Sequence, residues 1–104
     1  MNKRRDERYY KKIRIRIQAP DENGNFFEEE TYVENFSKNG CCILTSKLIR
    51  ENAHIIISSI DERFESEAKV KKIWQKEIDG KLKMGVEFLD NSENWLMNYL
   101  DKEE

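Results

Sequence analysis

"KIRIRIQ", Lys12 to Gln18, decides the fold class. Isoleucine returns at every second position, Ile13, Ile15 and Ile17, with Arg14 and Arg16 between them. A repeat of two belongs to a strand with one buried and one solvated face; a helix would need a repeat near 3.6. The same alternation closes the chain's apolar pattern in "KLKMGVEFLD", Lys81 to Asp90. There Leu82, Met84, Val86 and Phe88 fall on one face, and Lys81, Lys83 and Glu87 on the other. Between these two stretches lie "TYVENF" (31–36), "CCILTS" (41–46), "AHIIISSI" (53–60) and "FESEAKVKKIWQKE" (64–77). The last places Phe64, Ala68, Val70 and Trp74 in phase.

The breaks between these runs carry turn chemistry. "APDENGNFFEEE" (19–30) holds the only proline and an Asn-Gly pair and is expected to be a turn or loop. "SKNG" (37–40) is a tight turn, and "DER" (61–63) and "IDG" (78–80) suit hairpin connections. Six short strands without a helical pattern between them point to an all-β, antiparallel barrel or sandwich. Closure into a barrel removes the edges a meander would expose. The tail "NSENWLMNYLDKEE" (91–104) changes period. Asn91 or Ser92 can cap a helix, Glu93 suits its first turn, and Trp95, Leu96, Tyr99 and Leu100 form one stripe. So short a helix is marginal alone and must dock on the barrel.

A chain of 104 residues is expected to form one domain. Charged and apolar residues each make up 38%, and the apolar ones are clustered, so a small core under a highly charged surface is expected rather than disorder. The charge is lopsided: residues 1–16 carry +6 and the remainder −8. Confinement of basic charge to one end favours a small anionic ligand or a local anionic patch over a long nucleic-acid polymer.

The two cysteines, Cys41 and Cys42, are adjacent. In a strand they point to opposite faces and cannot bridge each other, which suits a reducing, cytoplasmic setting. No stretch resembles a signal peptide or a membrane span; "HIIISSI" is far too short. His54 is the single histidine, lies among isoleucines, and is expected to be a satisfied or surface strand residue rather than a functional switch. Nothing has zinc-ligand spacing, no glycine-rich nucleotide loop occurs, and no nucleophile–base pair can be assembled. Neither an enzyme nor a metal or cofactor protein is expected.

Two motifs remain. Arg4-Arg5-Asp6-Glu7-Arg8 contains R-x-x-x-R, and Asn35-Phe36-Ser37-Lys38-Asn39-Gly40 is N-x-S-x-x-G at the junction of two expected strands. The first is either a solvated interaction tail or an anion grip, since the arginine fork bonds phosphate oxygens or the guanine edge in pairs. The second is either ordinary turn chemistry or a polar ledge. In the ledge, the Asn35 amide and Ser37 hydroxyl meet a planar ligand, and Gly40 lets the ligand or another backbone approach closely.

Together the two motifs resemble the PilZ domain family, bacterial receptors for cyclic di-GMP. The run "KVKKIWQKEIDGKLKMGVEFLD" is similar to that family's last hairpin, with Trp74 before the turn and Gly85-Val86-Glu87-Phe88 after it. The resemblance implies a six-stranded antiparallel barrel with a C-terminal helix. It divides the chain into a flexible basic arm (1–11), a barrel (12–90) and a docking helix (91–104). It also implies that Arg4 and Arg8 grip guanine and phosphate while Asn35, Ser37 and Gly40 meet the ligand from the barrel wall, with Lys3 and Arg5 as auxiliary contacts. A non-enzymatic adaptor follows, acting on a downstream protein partner. The alternatives are a PilZ-like interaction module that does not bind the nucleotide, and a small barrel that binds single-stranded nucleic acid through the arm and aromatic platforms.

Overall fold

The computed structural model describes residues 9, 10, 12–78, 80–89, 95 and 96. Six strands follow in chain order: β1 (Ile13–Pro20), β2 (Phe26–Phe36), β3 (Gly40–Thr45), β4 (His54–Ser59), β5 (Glu65–Ile78) and β6 (Lys81–Phe88). All neighbours are antiparallel, and the order β1-β2-β3-β6-β5-β4 closes on itself through pairing of β4 with β1. The expected six-stranded antiparallel barrel is therefore what the chain forms.

The period-two pattern of β1 is the reason it can serve as a wall. Ile13, Ile15 and Ile17 are buried in the core with Val33, Phe36, Ile43, Ile55, Ile57, Val70, Met84 and Val86. Arg14 and Arg16 stand on the outer face, where both pair with Glu30 of β2, and Arg16 also pairs with Glu62. These cross-strand pairs account for one departure from expectation. Only 21–25 of the anticipated 19–30 loop lies outside strands, and β2 begins at Phe26 rather than Thr31. Consecutive glutamates are poor strand formers alone. Here Glu30 answers Arg14 and Arg16, and Glu28 accepts from Gln18 at 3.1 Å. Glu29 faces the other way and meets Lys81 Nζ at 3.1 Å and the Ser46 N–H at 3.1 Å. Opposite charges on facing strands offset the weak propensity. The turn itself is tied by Asp21, whose Oδ1 accepts from the N–H groups of Asn23 and Asn25, and Gly24 supplies a φ of 87°.

Cys41 lies in the core cluster, whereas its neighbour Cys42 belongs to the opposite face of β3; both are free thiols. His54 is exposed at the start of β4, as expected. In the tail, Trp95 and Leu96 have helical backbone and are buried at 4% and 0% exposure. Trp95 stacks on Phe64 at 6.1 Å between ring centroids. No helix is described beyond that pair, because the rest of 91–104 lies outside the described residues.

Two irregularities re-aim side chains. In β2 the pairing with β3 shifts between Val33 and Asn35, leaving Glu34 as an extra residue. In β5 the pairing with β6 shifts between Val70 and Lys72, with Lys71 extra. An extra residue in one strand reverses the inside–outside phase beyond it. The consequence in β5 corrects the expected phase: Ile73, not Trp74, continues the inner face after Val70, and Trp74 points outward.

Candidate functional site

Of the sequence-predicted site, Asn35, Ser37 and Gly40 are described, whereas Lys3, Arg4, Arg5 and Arg8 lie outside the described residues. The described part is built by the β2–β3 hairpin. Val33 points into the core, and without the bulge at Glu34 the side chain of Asn35 would follow it inward two positions later. With the bulge, Asn35 pairs with Cys42 and shares its outer face, while Phe36 pairs with Cys41 and fills the core. The hairpin closes through the Ser37 N–H donating to the Gly40 carbonyl at 2.8 Å, and Ser37 Oγ accepts from the Asn39 N–H at 3.3 Å. Asn35 and Ser37 retain 8% and 2% exposure. A ligand that reaches either must displace what covers them.

Gly40 has a more specific reason than turn flexibility. It pairs with Glu87, and a Cβ at Gly40 would lie 2.2 Å from the Val86 carbonyl oxygen. The close approach allowed by this glycine is that of β6, and the approach seals the β3–β6 seam directly behind the motif.

Across that seam the outer wall continues in register. Asn35 pairs with Cys42, Cys42 with Gly85, and Gly85 with Lys72, so these four form one cross-strand row. One step along, Leu44, Lys83 and Trp74 form the next. Trp74 is half-buried, and its ring lies where a Cβ on Gly85 would touch Cη2 and Cζ3 at 3.4 Å. Lys72 and Lys83 hold their ammonium groups 5.0 and 5.3 Å from the ring centroid, within cation–π range. The wall beside Asn35 thus offers an aromatic face flanked by two cations. Reading the sequence alone places Trp74 inside; the single residue that turns it out, Lys71, has no signature in composition.

Arg14 and Arg16 are not part of this surface, since Glu30 and Glu62 engage them on the β1–β2 face. The hydrogen bond from Arg16 holds the Glu30 carboxyl below its usual range, and Glu30 raises Arg16 in turn. Among the described residues no group of three or more His, Cys, Asp or Glu is placed to hold a metal ion. A hollow of about 460 Å³ lies at the other end of the barrel, lined by Glu22, Asn23, Leu48, Ile49, Arg50, Glu51 and Ile73, and includes none of the motif residues. No helix among the described residues is long and apolar enough to cross a membrane.

The family model described as PilZ domain matches residues 2–101. The Bacillus subtilis inhibitor of motility, MotI/DgrA, has a similar solved structure, with TM-score 0.59 and 24% sequence identity. The match covers 86% of this chain and 44% of that one, so this chain spans less than half the length of its structural relative. At that identity the likeness shows the fold. No curated protein matches significantly.

Proposed function

This chain belongs to the PilZ domain family, and from that premise we propose that it is a non-enzymatic receptor for cyclic di-GMP. The reading rests above all on the outer wall. The bulge at Glu34 aims Asn35 to the same face as the Trp74 ring and its two lysines. A cyclic dinucleotide has two guanines and two phosphate charges. Arg4 and Arg8 supply charge-assisted forks to guanine and phosphate. Asn35 and Ser37 give polar contacts from the wall, Gly40 keeps the backbone close, and Lys3 and Arg5 add charge. Trp74 supplies a face on which a base can stack.

The mechanism couples binding to a change of surface. Asn35 and Ser37 are nearly covered, so contact with the ligand and uncovering of the motif occur together, and ligand selects the open form in proportion to its preference for it. The basic arm, residues 1–11, closes over the ligand, and the composite of arm, ligand and wall is what a downstream protein recognises. The segment 91–104 forms a helix whose Trp95 and Leu96 anchor it to the barrel, so it stays seated while the arm moves. The setting is cytoplasmic, where the nucleotide is made. Ordering the arm costs roughly 1–2 kcal/mol per residue fixed, which sets the expected affinity near micromolar, about −8 kcal/mol.

Titration calorimetry with cyclic di-GMP tests this. Wild type is expected to bind and Arg8→Ala to bind far more weakly. Absence of heat from wild type at about 100 μM ligand, well above a micromolar Kd, overturns the proposal.

A further inference from the structure

Tyr32 continues the row that holds Trp74. Val33 pairs with Ile43, so Tyr32 stands beside Leu44. The Thr31 hydroxyl donates to the Leu44 carbonyl at 2.8 Å, which keeps β2 against β3 at this level. Leu44 pairs with Lys83, and Lys83 with Trp74. Val33, Ile43 and Met84 fill the core, so their neighbours Tyr32, Leu44 and Lys83 turn to the outer face. Adjacent strands lie about 4.8 Å apart, which sets Tyr32 and Trp74 at the two ends of a strip about 14 Å wide. On its other side Tyr32 pairs with Arg14, which Glu30 engages, so the strip stops at Tyr32.

The two ends carry the same chemistry. Tyr32 is 38% exposed, and the Lys12 ammonium lies 5.1 Å from its ring centroid. At the other end Lys72 and Lys83 stand over Trp74 in the same way. Among the described residues Lys12, Lys72 and Lys83 form no ion pair, whereas Glu87 holds Lys71 at 3.5 Å and Glu29 holds Lys81 at 3.1 Å. Each end therefore offers an aromatic face and a cation without a counter-charge. At an exposed site an ammonium rests on a ring only weakly. A phosphate oxygen is the stronger partner, and when it draws the ammonium aside the ring face is free for a base.

We infer that Tyr32 and Lys12 form a second base-and-phosphate station, and that the strip holds the two guanines of one cyclic dinucleotide apart, one on Trp74 and one on Tyr32. The inference rests on the receptor reading above and gives ligand contacts to two residues that neither motif contains. Bases stacked on each other are about 3.4 Å apart, far closer than the two stations, so the ligand is bound open. A single guanine nucleotide fills one station at a time and gains nothing from the other, whereas the second base of the cyclic dinucleotide binds as part of a molecule already held.

The test is calorimetric titration of the full chain and three variants with cyclic di-GMP, and of wild type with GMP. Wild type should take one cyclic di-GMP per chain and bind GMP far more weakly. Tyr32→Phe keeps the ring and should bind within about twofold of wild type. Tyr32→Leu keeps an apolar side chain on the outer face but has no ring. It should bind about tenfold or more weakly, as for the loss of one stacked base, while the melting midpoint of the ligand-free protein holds. Lys12→Gln should weaken binding and flatten its dependence on salt, because a charged contact to phosphate is gone. If Tyr32→Leu does not fold, Lys12→Gln decides alone. Wild type that binds, with folded Tyr32→Leu binding equally well, overturns the second station while leaving the receptor reading intact. Two ligands per chain overturn the single-ligand span. Wild type that does not bind overturns the receptor reading, and the second station with it.

Discussion

Trp74 lies over Gly85 on the outside of the barrel, with 3.4 Å between its ring carbons and the point where a Cβ would stand. The contact needs both partners: a bulge to turn the indole outward and a residue without a side chain to seat it. Because Trp74 is outside the core, Trp74→Ala should leave the barrel folded. It should weaken cyclic di-GMP by about 1–3 kcal/mol, the usual worth of a base stacked on an aromatic side chain. Calorimetry on a variant with unchanged circular dichroism checks this; unchanged affinity would remove the indole from the site.

Gly40 should behave as a residue of the barrel before it behaves as one of the ligand site. In Gly40→Ala the new methyl group meets the Val86 carbonyl oxygen, a backbone atom. The β3–β6 seam must open, at a cost of roughly 2–3 kcal/mol, toward the upper end of ordinary single substitutions. The denaturation midpoint of ligand-free protein measures it. Loss of binding without loss of stability would contradict this account.

Trp95 extends the core beyond the barrel's last strand. It is 4% exposed and stacks on Phe64. Trp95→Ala should destabilise the fold by about 3–5 kcal/mol, as for large aromatic truncations in cores, and urea titration reads it directly. A loss below about 1 kcal/mol would mean that the tail contributes little to the core.

Two carboxylates are expected to contribute to the acid limb of stability. Glu30 is held low first by its hydrogen bond from Arg16, and Asp61 first by the hydrogen bond from Ser59 Oγ and then by the Arg63 N–H. A carboxyl lowered on folding contributes stability above its ordinary value, and that contribution is lost as pH falls through the folded value. The barrel should therefore weaken once pH drops below the ordinary values of 4.5 for Glu30 and 3.8 for Asp61. Denaturation midpoints measured against pH should show a shallower acid limb in Glu30→Gln. An identical limb would remove Glu30 from this role.

Arg14 and Arg16 stand on the outer face of β1, apart from the proposed ligand grip. Both are engaged by Glu30 across the strand pair. Arg14→Ala and Arg16→Ala should leave cyclic di-GMP affinity at the wild-type value in the same titration. A marked loss in either would extend the site onto the β1–β2 face.

The barrel was legible because its walls alternate without interruption where it matters. Ile13, Ile15 and Ile17 in β1, and Met84 and Val86 in β6, announce an inner face that no later feature overturns. What escaped were the places where one residue of slippage reverses the pattern. Lys71 looks like any lysine in a charged strand, yet it exchanges Trp74 for Ile73 on the inner face. Phe26 to Glu30 looked like a loop because the partners of its glutamates lie on β1, β6 and the chain after β3. Of the site, the N-x-S-x-x-G signature was plain in the sequence. The outward turn of Trp74 was not, because register is a property of two strands and a sequence displays one at a time.

The strand order has a consequence for how the protein comes into being. β3 precedes β6 by a long stretch of chain, yet β6 is its neighbour in the wall and the strand that joins it to β5. Until Lys81 to Phe88 has emerged from the ribosome, β3 and β5 both present unpaired edges, the kind that recruit strands from other chains. The ring cannot close co-translationally from its early parts, and nascent chains stalled before Lys81 should be the ones that aggregate.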